Sequence, residues 1–214
     1  MTEKLFLVFD TETANSLEDP FVYDIGWAVV DADGNVYEQA SYVNADVFLD
    51  KELMTSAYYA KKLPRYWEQI KSGERKLTSM WKINQAFHKC IKDWNIKIIC
   101  AHNARFDYRS TNATRRYYTS SKYRFFLPYG LEVWDTLKMA RQAFKEDEEY
   151  ATFCCENGYL TKRGCKRYTA EILYRFISGD NEFEEEHTGL ADVMIEKEIL
   201  CECLRRGVET GKMW

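Results

Sequence analysis

The segment KLFLVFDTET, residues 4–13, is an almost unbroken apolar run that ends in carboxylates. It is too short for a helix and typical of a strand buried on both faces. Side chains alternate along a strand, so Asp10 and Glu12 point to one face and can share one ion. A strand that delivers two carboxylates side by side at its carboxyl end is the seed from which the rest of the chain can be placed.

Outward from that strand, the pattern predicts a second strand over about 22–31, a DADG turn at 31–34 and a third strand over 35–43, together a three-stranded antiparallel meander. A polar and aromatic excursion fills 44–77. The spacing of Ile83, Phe87, Ile91 and Trp94 then predicts a helix over 79–94, and IKIIC at 96–100 reads as another buried strand. It runs into AHNARFD, which places Asp107 just beyond a strand end, before a further helix. A short strand at 131–135 leads to a helix ending near 145. Leu190, Val193, Met194, Leu200 and Leu204 recur at helical spacing and predict an amphipathic helix over 189–206, with Thr188 as N-cap. Asp192 then lies in the early turns, where the helix dipole favours a carboxylate, and His187 lies on the preceding loop, free to swing.

In open α/β sheets ligands gather at the carboxyl ends of strands. Parallel first and fourth strands would therefore bring Asp10, Glu12 and Asp107 to one edge, with Asp192 and His187 beside them. Two unit charges about 6 Å apart repel by roughly 2.8 kcal/mol at an effective dielectric of about 20. Protonation or cations must relieve such crowding. Oxygen ligands select hard ions, so Mg²⁺ or Mn²⁺ is expected rather than zinc, and two such ions suit in-line displacement at phosphorus.

Three blocks, FDTET, HNARFD and HTGLAD with its His and Asp five positions apart, resemble in order the three motifs of the DEDDh family of 3′→5′ exonucleases. That family includes the proofreading subunit of bacterial replicative polymerases and ribonuclease T. VWDTLKMAR at 133–141 is similar to the family segment that follows the next strand. The resemblance implies a ribonuclease H-like α/β fold, with a mixed sheet of antiparallel meander plus parallel strands flanked by helices. It implies two ions per site: Asp10, Glu12 and Asp192 on one, Asp10 also touching the second, and Asp107 assisting through water. It implies His187 as the general base, a role suited to a group that titrates near neutral pH. Asn103 and the backbone from Thr11 to Thr13 are expected near the terminal nucleotide. Gly189 departs from the alanine more usual at that position, which is expected to loosen the helix start.

Each block alone has an ordinary reading, as a strand end, a turn or a solvated acidic loop. Their conjunction carries the inference. The chain has 214 residues, with no Pro/Gly/Ser-rich linker or repeat, and is expected to form one exonuclease domain over 1–214. Its start reads directly into the first strand without a signal-like segment, and no apolar run approaches membrane-spanning length, so an intracellular, cytoplasmic protein with no membrane partner is expected. The seven cysteines form no C-x-x-C pair and read as reduced thiols; Cys154, Cys155 and Cys165 are the set that could build a small metal site.

A net charge of −4 argues against a wide electrostatic grip on duplex DNA. Basic and aromatic residues interleave at 61–67, 115–118 and 122–126, and each stretch could either contact a nucleic-acid strand or be an amphipathic helix with its rings in the core. The expected partner is a nucleic-acid 3′ end, DNA favoured, with a shallow salt dependence. Two other readings stand beside this: an exoribonuclease, and a non-catalytic module that serves a polymerase or repair partner.

Overall fold

The computed structural model describes residues 4–57, 60–120, 122 and 124–214. Six strands form one sheet: β1 (Phe6–Asn15), β2 (Pro20–Val30), β3 (Val36–Asn44), β4 (Lys76–Thr78), β5 (Ile98–Ala101) and β6 (Glu132–Asp135). Their order is β4-β3-β2-β1-β5-β6. The predicted antiparallel meander is present as β1–β3, and β5 and β6 add to β1 in parallel. β1 is therefore central, which is why its residues Phe6 to Phe9 are buried on both faces.

β1 extends five residues past the predicted end at Asp10. Those residues pair with β2, Asp10 opposite Gly26 and Glu12 opposite Asp24, with a register shift between Glu12 and Thr13. The extension costs nothing in hydrogen bonding because the longer β2 supplies partners, and the irregularity lies beside the two carboxylates, as bulges near functional sites often do.

The excursion at 44–77 folds as α1 (Ala45–Phe48), α2 (Lys51–Thr55), a single 3₁₀ turn, α3 (Leu63–Ser72) and the edge strand β4. Asn44 and Asp50 cap the first two helices by accepting from backbone N–H groups. α4 (Met80–Asp93) matches the predicted helix, α5 is Arg105–Tyr117 and α6 is Thr136–Ala143. The segment at 146–180 holds α7 (Glu148–Glu156) and α8 (Ala170–Ser178), and α9 is Gly189–Arg205.

Strand alternation divides the core. Phe6, Val8, Ala28, Val30 and Cys100 face a layer of α6, α7, α8 and α9. Leu7, Phe9, Ile25, Trp27 and Ile99 face α4, where Phe9 and Trp27 meet Phe87 edge-on. A buried phenylalanine at such a seam contributes about 3–5 kcal/mol relative to alanine. A third cluster, Phe21, Tyr23, Val43, Phe48 and Tyr66, seats α1 to α3 at the end of the sheet where the carboxylates emerge. No helix among the described residues is long and apolar enough to cross a membrane.

Candidate active site

Asp10 and Glu12 continue the Phe6–Val8 face of β1, so they point toward α9, as the alternation requires. α9 reaches them because its start lies directly on β2. A Cβ on Gly26 would fall 2.2 Å from the Leu190 nitrogen, and one on Gly189 would fall 2.6 Å from the Gly26 nitrogen. Gly189 therefore does not loosen the helix start; it permits a closer approach than alanine would allow. Asp192 follows in the first turn, and Glu196, one turn on, shares its face; both are buried.

Asp107 arrives from the other side of the sheet. It lies inside the first turn of α5 rather than in the loop before it, because the helix begins at Arg105, two residues before Asp107. Its Oδ1 accepts from the Thr11 hydroxyl at 2.7 Å. Thr11 alternates with Asp10 and Glu12, so its side chain is directed to α5 and its hydroxyl acts on Asp107, while the residue also lines the cavity. The Glu196 carboxylate accepts from the His102 backbone N–H at 3.1 Å, which ties α9 to the turn after β5. Asn103, at φ 63°, is held by its N–H donating to Asp135, the N-cap of α6.

The loop that carries His187 is tethered instead of swinging. The Lys62 ammonium donates to the Glu186 carbonyl, and Arg65 pairs with the Glu186 carboxylate at 2.7 Å. His187 itself adopts φ 50°, the left-handed region. Thr188 is the N-cap by position but makes no side-chain capping bond. The Gly189 N–H donates to Asp24 at 2.9 Å instead, and Asp24 is buried with Arg75 at 2.8 Å and the Tyr66 hydroxyl at 2.6 Å. One buried hub thus fixes β2, α3, the approach to β4 and the start of α9.

One potential ligand atom from each of Glu12, His187 and Asp192 lies within 4.8 Å of the others. Burial pushes Glu12 up to about 9 and Asp192 up to about 8, each reinforced by neighbouring carboxylates and opposed by the Lys62 ammonium. Asp107 is raised to about 7 by burial against the opposing hydrogen bond from Thr11. Asp10 and Glu196 are raised well above the usual range by burial and by the other carboxylates. The His187 imidazole is lowered by burial and by Lys62, with Glu171 opposing, so it is neutral near pH 7 and able to accept a proton. Burial, which the loop alone did not reveal, outweighs the acidic run beside it.

These residues fit divalent cations. Asp192 Oδ1 is buried without a hydrogen-bond partner, and the burial that raises five carboxylates, reinforced by their mutual repulsion, is what bound cations would offset. Asp10, Glu12 and Asp192, with Asp107 behind them, are the residues that would hold them.

The site opens into a cavity of about 750 Å³ lined by Asp10, Thr11, Glu12, Asn103, Asp107, His187 and Asp192. Thr13, beyond the register shift, is not part of that lining among the described residues. Sequence reading missed Glu196, Asp24 and Glu185, the last of which lines the cavity and is raised to about 7 by burial. Glu196 was within reach, since it stands four residues after Asp192 on the same helix face. Other lining residues were also missed: Arg141, Thr161, Cys165, Arg167 and Tyr168. The basic stretches singled out earlier lie elsewhere. Lys62 and Arg65 hold the His187 loop, and Arg115 donates to Asn84. Lys122 and Phe125 line a separate cavity, and Tyr123 lies outside the described residues. Of the cysteines weighed as ligands, Cys154 is buried in α7, whereas Cys155 and Cys165 are exposed.

No protein-family model matches the sequence, and no curated protein sequence matches it either. Solved structures do match. Exonuclease X in complex with 5′-overhanging duplex DNA aligns with TM-score 0.52 and 17% identity over 94% of this chain and 91% of that one. An exonuclease I complex with SSB-Ct aligns with TM-score 0.57 and 17% identity over 96% of this chain and 42% of that one. A zinc-bound E. coli exonuclease I complex with single-stranded DNA gives TM-score 0.52 and 16% identity over 92% and 39%. The chain thus spans nearly all of exonuclease X and about two-fifths of exonuclease I. It has the ribonuclease H-like α/β fold of these exonucleases, with its own carboxylate cluster at the carboxyl end of the central strand.

Proposed function

We propose that this protein is a metal-dependent 3′→5′ exonuclease, acting as one domain over residues 1–214 on nucleic-acid ends, DNA favoured, and releasing nucleoside 5′-monophosphates. The observation that carries the reading is the convergence of Glu12, His187 and Asp192 within 4.8 Å, the first from β1 and the other two from the loop and first turn of α9 far along the chain. Asp10 and Asp107 stand in the same cavity. The fold shared with exonucleases X and I supports it.

Divalent cations, Mg²⁺ or Mn²⁺, would when bound neutralise the scissile phosphate and favour ionisation of the attacking water. The chain's own residues do the rest. Asp10, Glu12 and Asp192 set the position of the phosphate by the fixed geometry of β1 and α9. Thr11 holds Asp107 in place from behind. His187, neutral near pH 7, accepts the proton of the water as it attacks in line. The direction of digestion follows from the motif resemblance.

The test is incubation of 5′-labelled DNA and RNA oligomers with Mg²⁺, with and without EDTA. The expected result is stepwise shortening from the 3′ end that EDTA abolishes. Shortening of RNA alone would make the protein an exoribonuclease, and no metal-dependent shortening of either would refute the proposal.

A further inference from the structure

Part of the cavity lining, Thr161 and Cys165 to Tyr168, belongs to a hairpin that the mechanism above leaves unused. Residues 160–168, LTKRGCKRY, carry Lys162, Arg163, Lys166 and Arg167 and no acidic residue, in a chain whose net charge is −4. Leu160 and Lys166 form an antiparallel bridge, Thr161 N–H donates to the Cys165 carbonyl at 2.8 Å, and Gly164 N–H donates to the Thr161 carbonyl at 2.9 Å. Lys162 and Arg163 are thus the central residues of a tight turn, with Gly164 following at φ 75°.

The hairpin is also anchored to the site. The Lys166 ammonium donates to the carbonyls of Phe144 and Lys145, the Tyr150 hydroxyl donates to the Arg167 carbonyl, and the His102 ring lies 2.8 Å from the Tyr168 carbonyl. His102 is the neighbour of Asn103 on the cavity floor. Arg141 of α6 lines the same cavity. None of the ion pairs among the described residues uses Arg141, Lys162, Arg163 or Arg167, and all four are exposed. Arg141 and Arg167 line a cavity that also holds the carboxylates, with Lys162 and Arg163 at the turn of the same hairpin, and such a group of cations raises the local concentration of an anion.

The geometry points to this hairpin and Arg141 as the phosphate-binding arm for the substrate strand: it grips backbone phosphates beyond the scissile one and so selects polynucleotides over the shortest oligomers. This rests on the exonuclease reading above. The ligand class is a single nucleic-acid strand, because a phosphodiester backbone alone presents anions repeatedly along the path from the carboxylates to the hairpin tip.

The test uses the full chain and the double variant Lys162→Gln/Arg163→Gln, which alters the exposed turn. Binding of a fluorescein-labelled single-stranded 12-mer is followed by anisotropy in EDTA over a range of salt, and kcat/KM is measured with Mg²⁺ on the 12-mer and on a dinucleotide. The expected result is weaker binding, a log K against log salt slope shallower by about 1.4, near 0.7 for each of two phosphates released, and a larger fall in kcat/KM for the 12-mer than for the dinucleotide. Unchanged affinity and slope would overturn the inference, as would an equal fall on both substrates. The binding arm needs no turnover, so it separates failure of the hairpin from failure of the exonuclease reading, which the absence of metal-dependent shortening would show.

Discussion

Replacing Gly26 by alanine tests the seam on which the carboxylate cluster depends. The added Cβ would fall 2.2 Å from the Leu190 nitrogen and 2.4 Å from both the Gly189 carbonyl carbon and the Leu190 Cα. All three are backbone atoms, so no side chain can rotate away, and ordinary contact begins near 3.4 Å. α9 must move off β2 by about 1 Å, or the strand must bend. Overpacking of this kind costs about 1–3 kcal/mol, and with backbone on both sides the upper end applies. For a domain of this size, roughly 3 kcal/mol lowers Tm by about 6–12 °C. The same displacement carries Asp192 away from Asp10 and Glu12, and a misplacement of about 1 Å can cost on the order of 10²-fold in rate. Thermal unfolding by circular dichroism and Mg²⁺-dependent turnover on a labelled oligomer are the assays. Gly189→Ala should do the same more mildly, since its Cβ meets one atom below 3 Å, the Gly26 nitrogen at 2.6 Å. Helix propensity alone would make Gly189→Ala stabilising by roughly 0.5–1 kcal/mol. An unchanged Tm and rate for Gly26→Ala, or a stabilised Gly189→Ala, would refute the close approach.

Three further outcomes are expected. Because Glu12, Asp192 and Asp107 are raised to about 9, 8 and 7, the folded metal-free protein holds protons that the unfolded chain has released; the stability they contribute is full below the ordinary carboxylate range and is lost as pH rises toward about 9. In EDTA, Tm should therefore fall between pH 5 and pH 8.5, with Mg²⁺ restoring more at the higher pH; a metal-free Tm that rises over this range would contradict the crowding. Asp10→Asn and Asp192→Asn should abolish turnover while leaving the metal-free protein as stable as before or more so, since asparagine folds without the proton uptake that each buried carboxyl requires; calorimetry beside activity checks both halves. His187→Ala should slow turnover by about 10²- to 10⁴-fold, the usual range for a general base, while metal binding measured by titration calorimetry changes little; loss of metal binding would make His187 a ligand with Glu12 and Asp192 instead.

Much of this arrangement is written in local pattern. The apolar run before Asp10 dictates a central strand, alternation dictates that Asp10 and Glu12 share a face, and the 3.6-residue period after Thr188 dictates a helix with Asp192 at its start. Those are short-range consequences of backbone geometry, so they survive without knowledge of neighbours. The loop carrying His187 was legible as a loop but not as a tethered one, because Lys62 and Arg65 stand more than 120 positions away.

By itself, then, the sequence determined the meander, the helices α4, α5, α6 and α9 and which carboxylates leave the strand and helix together. Only the tertiary structure decided that Asp24 would cap α9 through a buried partnership with Arg75 and Tyr66, that Glu196 would join the cluster and that the hairpin at 160–168 would line the same cavity. The reason is physical. Periodicity reports the direction of a side chain relative to its own strand or helix, whereas burial of a charge, its pKa and its partners depend on what another segment brings to it. Gly26 and Gly189 show the difference most plainly: nothing in the sequence marks Gly26, Gly189 reads there only as a loosened helix start, and together they are the place where β2 and α9 touch.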